Sequence, residues 1–197
     1  NHYFKHLGVS DGLSQVCIPS IYQDELGAVW LGTTEGLNRY NGKDVKVFQP
    51  SESNHGLTNN EINELCGDKN GRMYIRSGND LIKLDIYTEQ FTCLRQKGVY
   101  GLFCKKDTLW VSCADGIYYY TGQGTELTFF ARVQKGFVGR ALYVDKETVW
   151  VVTRKYLVAI SREDPLRQEI LLTLDKGNCI LGDSSGNIWV GAWNGLY

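Results

Sequence analysis

Three histidines, two carboxylate pairs and six cysteines are the residues of this chain whose types could do chemistry. None falls into the spacing that such chemistry needs. His2 and His6 lie near the first residue and His55 in the polar stretch SESNHG, so no Ser-His-Asp relation emerges, and neither a Gly-rich phosphate loop nor HExxH occurs. Glu61 with Glu64, and Glu163 with Asp164, could do acid-base work of the glycosidase kind. Solvated charges at strand ends and in loops are the simpler account of both pairs. Cys17, Cys66, Cys93, Cys104, Cys113 and Cys179 show no CxxC or other metal spacing. They read as buried thiols acting as small hydrophobes, with one bridged pair as the alternative in an oxidising compartment. No catalytic residue, metal or cofactor is expected.

The strongest pattern is one of position. Trp30, Tyr74, Trp110, Trp150 and Trp189 follow one another at steps of 44, 36, 40 and 39 residues. Seven residues after each aromatic stands an aliphatic residue: Leu37, Leu81, Ile117, Leu157 and Leu196. Asp24, Asp68 and Asp183 lie six residues before theirs, Asp145 lies five before, and Cys104 fills the slot in the third copy. A period this long means a propeller or a solenoid, and an apolar period near 3.6, which a two-helix repeat needs, is absent. Each copy instead reads as four strands. In the first, a short apolar segment, the strand AVWLGT and two strands split by Asn41-Gly42 follow in turn, and Asn-Gly suits the positive φ of a tight hairpin.

The expected fold is therefore all-β, a β-propeller segment of four-stranded antiparallel blades over residues 1–197. The repeats fall at about 14–50, 58–95, 98–133, 137–175 and 177–197, with 1–13 as an outer closing strand. Phe4 and Phe48 both precede the next turn aspartate by 20 residues, and Leu13 and Leu57 both precede it by 11. That equivalence suggests four complete blades, most of a fifth and a strand that closes a larger, seven-bladed ring. Closure removes sheet edges. Association of copies through terminal blades is a further expectation.

Residues that recur in every copy are expected to be structural, because packing repeats and a ligand site does not. Trp30, Tyr74, Trp110, Trp150 and Trp189 should pack between blades, and Asp24, Asp68, Asp145 and Asp183 should accept backbone N–H bonds in their turns. The turns between second and third strands break the symmetry. They carry Glu35, Asn79, Asp115, Arg154 with Lys155, and Trp193 with Asn194. In a propeller such turns gather on one face, and hydrogen-bonding groups beside an aromatic platform suit a sugar. Ordinary polar turns are the plainer account of the same residues.

The formal charge of −1, from 21 Lys+Arg against 22 Asp+Glu, makes no case for nucleic acid or an anionic membrane surface. No apolar run approaches 18 residues. A start at NHYF fits a mature terminus after signal cleavage.

The segments YQDELGAVWLGTTEGLNRYNG and LGDSSGNIWVGAWNGLY resemble the two-component regulator propeller repeat, and YFKHLGVSDGLSQ resembles the start of sensor regions of Bacteroides-type hybrid two-component systems. The resemblance spans essentially the whole chain. It weakens in copies three and four, where Cys104 replaces the aspartate and TRKYL the usual Thr-x-x-Gly-Leu. It implies a periplasmic sensor of an inner-membrane receptor whose ligands are oligosaccharides and whose remaining blades, membrane helix, histidine kinase, receiver and DNA-binding parts lie outside this chain. The output implied is transcription of polysaccharide-utilisation genes. A propeller lyase or glycoside hydrolase fragment, and a protein-interaction scaffold, are the alternatives.

Overall fold

The computed structural model describes residues 6–50 and 56–197; the expectations that rest on His2, Phe4 and His55 fall outside them. The chain divides into two compact units, one ending at Gln96 and one running from Lys97 to Tyr197. In the first, β1 (Ser20–Gln23), β2 (Val29–Thr33), β3 (Gly36–Tyr40) and β4 (Val45–Phe48) form one antiparallel sheet. A second contains β5 (Ile62–Gly67), β6 (Arg72–Ser77), β7 (Asp80–Asp85) and β8 (Gln90–Arg95). The other unit holds β9 (Val99–Lys105), β10 (Thr108–Cys113), β11 (Gly116–Tyr120) and β12 (Thr128–Ala131), then β13 (Gly139–Val144), β14 (Thr148–Thr153), β15 (Tyr156–Ser161) and β16 (Gln168–Thr173). Its last sheet has three strands, β17 (Cys179–Gly182), β18 (Ile188–Ala192) and β19 (Gly195–Leu196). Strand order follows chain order in every sheet, the meander of a propeller blade. Single 3-10 turns at Val9–Asp11 and Gln134–Gly136 are the helical elements among the described residues.

Successive blades within a unit stack face to face. One core joins Trp30, Leu37 and Phe48 of the first blade to Ile62, Leu65, Met73, Ile75 and Leu84 of the second. Another joins Trp110, Ile117 and Ala131 to Leu142, Val149, Val151 and Val158. Because side chains alternate along a strand, Val151 faces the blade before it while Val152 joins Leu157, Leu174 and Val190 on the side of the blade after it. A strand buried on both faces reads as the continuous apolar run TVWVV. First strands approach closely enough that a Cβ on Gly182 would stand 2.0 Å from the Tyr143 ring. Glycine is what lets the aromatic lie flat there.

The turn aspartates do more than bond backbone. Asp24 Oδ1 accepts the N–H groups of Leu26 and Ala28 at 3.0 and 2.9 Å, and its Oδ2 accepts the Trp30 indole N–H at 2.8 Å. Asp145 binds Glu147 N, Thr148 N and Trp150 Nε1 at 2.8, 2.8 and 2.7 Å, and Asp183 binds Ser185 N, Asn187 N and Trp189 Nε1 at 2.9, 2.8 and 3.0 Å. The spacing of carboxylate and aromatic is thus a hydrogen-bonded clamp. In the second blade Tyr74 has no indole, and Asp68 takes Asn70 N, Arg72 N and the Arg72 guanidinium instead. The third blade has no clamp turn. Its first hairpin is shortened to Lys106-Asp107, with Lys106 at φ 51, and Cys104 lies within β9 opposite Leu109.

The aromatics differ in burial. Trp30 and Tyr74 are 0% exposed and Trp110 5%, but Trp189 is 42% exposed. Each buried tryptophan faces the blade that follows it. No disulfide joins any of the six cysteines, and only Cys113 is buried while Cys17 and Cys179 are exposed, which corrects the reading of all six as buried thiols. Of the two carboxylate pairs, Glu64 is bound by Arg76 at 3.3 Å, and Glu163 and Asp164 are exposed in the loop after β15.

Trp110→Ala should cost about 3–5 kcal/mol, the usual loss for a large buried aromatic. Asp115→Ala, in an exposed turn, should stay within about 0.5 kcal/mol; urea unfolding of both variants compares them. The clamp also sets a pH dependence. The Asn187 amide, then the Trp189 indole, hold the Asp183 carboxyl at about 2, below the ordinary 3.8. Asp145 is also lowered, because the Trp150 indole and the Glu147 and Thr148 N–H groups outweigh the burial that opposes its ionisation. A folded pKa below the unfolded one stabilises above the unfolded value and is lost as pH falls through the folded value. Stability should therefore decline between about pH 4 and 2, less steeply in Asp183→Asn, and carbon NMR of the Asp183 carboxyl should show its midpoint near 2.

Candidate functional site

At the end of the second strand away from the first hairpin, the symmetry-breaking turns of the first, second and fourth blades are held by a hydroxyl and by main-chain bonds to a segment linking one blade to the next. In the first unit, Thr33 Oγ1 donates to Gly36 O at 2.8 Å and accepts Glu35 N at 3.1 Å. Gly36 N donates to Asn60 O at 2.7 Å. At the equivalent place in the second blade, Ser77 Oγ accepts Asn59 N at 2.9 Å and donates to Asn59 O at 2.8 Å, and Gly78 N donates to Glu61 O at 2.7 Å. Glu35 and Asn79 stand exposed on these two turns. Both hydroxyls lie three residues after the repeat aromatic, as does Thr153, and all three are buried. A buried hydroxyl whose donor and acceptor needs are both met costs little and fixes the turn.

The second unit carries the other nominated residues. Asp115 accepts the Tyr118 hydroxyl at 2.9 Å and lies in a small cleft of about 230 Å³ with Arg132, Val133 and Phe137. Arg154 and Trp193 come together. They line one groove of about 500 Å³ with Arg140, Lys176, Asn178 and Cys179. Lys155 lines an adjoining depression of about 470 Å³ with Tyr156, Leu174 and Asp175. Asn194 sits beside the groove, its amide donating to the Tyr197 hydroxyl at 2.7 Å.

Three main-chain bonds build this groove. Leu174 N and Gly177 N donate to the carbonyls of Lys155 and Arg154 at 2.6 and 3.0 Å, and Trp193 N donates to Asp175 O at 2.9 Å. The linker 174–177 is thereby pinned between the two turns. Lys176 adopts φ 51 in this linker, a left-handed conformation that a lysine takes only when its surroundings impose it. Its ammonium lies 4.9 Å from the centre of the Trp193 ring, a cation–π contact. Trp193 is nonetheless 78% exposed. Arg140 lies over Tyr100, 5.7 Å from the ring centre.

Arg140, Lys176 and Asn178 escape a reading of the sequence because they lie at or just before the first strands of their blades, where no periodic residue marks them. The register of turn against linker would have found them. Among the described residues no group of three or more His, Cys, Asp and Glu lies together as a metal site.

Residues 12–35, which span Leu13, the Asp24 clamp, Trp30 and the Thr34-Glu35 turn, match the family model of the two component regulator propeller. That one stretch is similar to a two-component regulator propeller repeat. A 49-residue stretch of this propeller chain, 25% of its length, is 41% identical to Histidine kinase P4 of Formosa agariphila and spans 4% of that relative. In structure the chain is similar to the extracellular domain of a hybrid two component system of B. thetaiotaomicron. The TM-score is 0.84 at 22% identity, over 98% of this chain and 30% of that one. It is also similar to the extracellular domain of a one component system of the same organism, with a TM-score of 0.79 at 19% identity, over 96% of this chain and 31% of that one. The propeller chain therefore spans under a third of each of these two solved structures. These likenesses establish the fold.

The pinned linker of this propeller chain makes Gly177 sensitive to substitution. A Cβ there would stand 2.4 Å from Thr153 O, a backbone atom that cannot swing aside. Gly177→Ala should destabilise the unit by about 1–3 kcal/mol and move the Trp193 indole resonance in NMR, whereas Gly186→Ala, with open space around its Cβ, should leave that resonance in place.

Proposed function

We propose that this chain is part of the extracytoplasmic sensor region of a two-component signalling receptor and recognises an oligosaccharide. The observation that carries the proposal is the exposed Trp193 platform beside hydrogen-bonding side chains, in a groove whose backbone is already fixed. A flat, open indole suits the apolar face of a pyranose, and a groove that needs no ordering loses little entropy on binding. The clamped, stacked blades supply a rigid support for that platform.

The matched family model and the stretch similar to a histidine kinase support assigning this platform to a signalling receptor. In this reading the kinase and its output domains belong to parts of the receptor outside this chain, the sensor lies in the periplasm, and the remaining blades complete the ring. The segment binds and does not turn over its ligand. Its role is to report occupancy to the transmitter.

A glycan array probed with the complete ectodomain tests the reading. One or more oligosaccharides should bind, Trp193→Ala should weaken binding at least about tenfold, and no reducing ends should be released on prolonged incubation. Failure of every glycan to bind, or turnover abolished by a single substitution in this chain, would refute it.

A further inference from the structure

We propose that the groove between the Arg154-Lys155 and Trp193-Asn194 turns takes an acidic oligosaccharide, with its anionic group on Arg140, Arg154 and Lys176 and a sugar ring on Trp193. The inference rests on the carbohydrate reading above and adds to it the charge of the ligand and the residues that select it.

Charge distribution is the first argument. The chain as a whole is nearly balanced at −1, yet the groove is lined by three cations and by no aspartate or glutamate. Asp175, the nearest acidic residue in sequence to this cluster, lines the adjoining depression, which Arg154 and Lys176 also border, and makes no ion pair with either. None of Arg140, Arg154 and Lys176 forms an ion pair with a described carboxylate. Elsewhere the protein does pair such groups: Arg39 and Lys46 share Glu89, and Arg76 holds Glu64. Like charges gathered without a counter-charge repel one another and oppose the fold. A ligand anion would relieve that repulsion.

Fixed geometry is the second. Lys176 is held in its left-handed conformation next to Gly177, which the Arg154 carbonyl binds through its N–H. The main chain of Arg154 is thus tied to the linker that carries Lys176, while its guanidinium remains exposed. Tyr100 supports the Arg140 guanidinium through its ring. Guanidinium groups donate to carboxylate and sulfate oxygens in pairs, which gives direction as well as attraction. Trp193, open over most of its surface, supplies the apolar contact that a simple inorganic anion would not use. Asn178 adds an amide that can bond a hydroxyl on the same ring. The combination of cations, one amide and one open indole fits a sugar bearing a negative charge better than a neutral sugar or a bare anion.

Calorimetric titration of the protein with tetragalacturonate, a chondroitin sulfate tetrasaccharide, the unsulfated chondroitin tetrasaccharide, maltotetraose, a thymidylate tetramer and sodium sulfate tests this. One acidic tetrasaccharide should bind at least tenfold tighter than maltotetraose and weaken as salt rises, as an exposed charge contact must. Preference for the galacturonate assigns a carboxylate, and preference for the chondroitin sulfate over both the galacturonate and the unsulfated chondroitin tetrasaccharide assigns a sulfate. Arg154→Gln and Arg140→Gln, with unfolding midpoints confirming that they fold, should bring acidic and neutral affinities within about threefold. Trp193→Ala should weaken both. Equal binding of maltotetraose, lost in Trp193→Ala but indifferent to the arginines, would overturn the acidic ligand while leaving the carbohydrate reading intact. Sodium sulfate or the thymidylate binding as tightly as the acidic sugar would overturn the saccharide specificity, and no saccharide binding at all would sink both readings.

Discussion

The carboxylate clamp at the start of the second strand is the interaction on which the architecture depends. One aspartate closes the first hairpin through two backbone N–H groups and at the same time takes the indole N–H of a tryptophan in the following strand. The ring is then held on the face that meets the next sheet, with Phe48 of its own blade stacked on it at 5.7 Å. Local turn geometry and long-range packing are in this way fixed by the same side chain. Since a hydrogen bond to a charged acceptor contributes about 1.5–3 kcal/mol when sheltered from water, a clamp at 4% exposure, as at Asp24, is a substantial part of what holds a blade in register. Two blades manage without it. The second substitutes a guanidinium for the indole, and the third shortens the hairpin to two residues and relies on Trp110 packing against Tyr119 and Phe130.

The opposite end of the second strand works by a different rule. There, in the first, second and fourth blades, a buried hydroxyl fixes the turn, and backbone bonds join it to a linker between blades. Side chains at the turn tips are thereby released from structural duty. Arg154, Lys155 and Trp193 can point outward because nothing in the frame needs them.

Much of this was legible in the sequence, for physical reasons. The five aromatics and their aliphatic partners repeat because each must fill the same space between sheets, and that repetition carries the blade register. The clamp was visible as a spacing but not as a bond: six residues between Asp24 and Trp30 do not reveal that an indole N–H turns back to the carboxylate. Trp189 has the same spacing as Trp30, so periodicity assigns both one role, although burial depends on what lies across the face and sets them apart. Cys104 matches by count a slot that the shortened hairpin removes. At the groove, Arg154 and Trp193 stood out as departures from the repeat. Arg140 and Lys176 did not, since the backbone bonds that bring them near leave no mark on residue type.

The pinning of the linker by main-chain atoms alone bears on how such a protein can diverge. A carbonyl or N–H is the same in every amino acid except proline, so positions 140, 154 and 193 can be exchanged in descendants of this gene without loosening the scaffold that displays them. Duplicated copies are then free to drift toward new ligands one residue at a time, each intermediate still folding. Selection on recognition and selection on stability fall on separate sets of atoms.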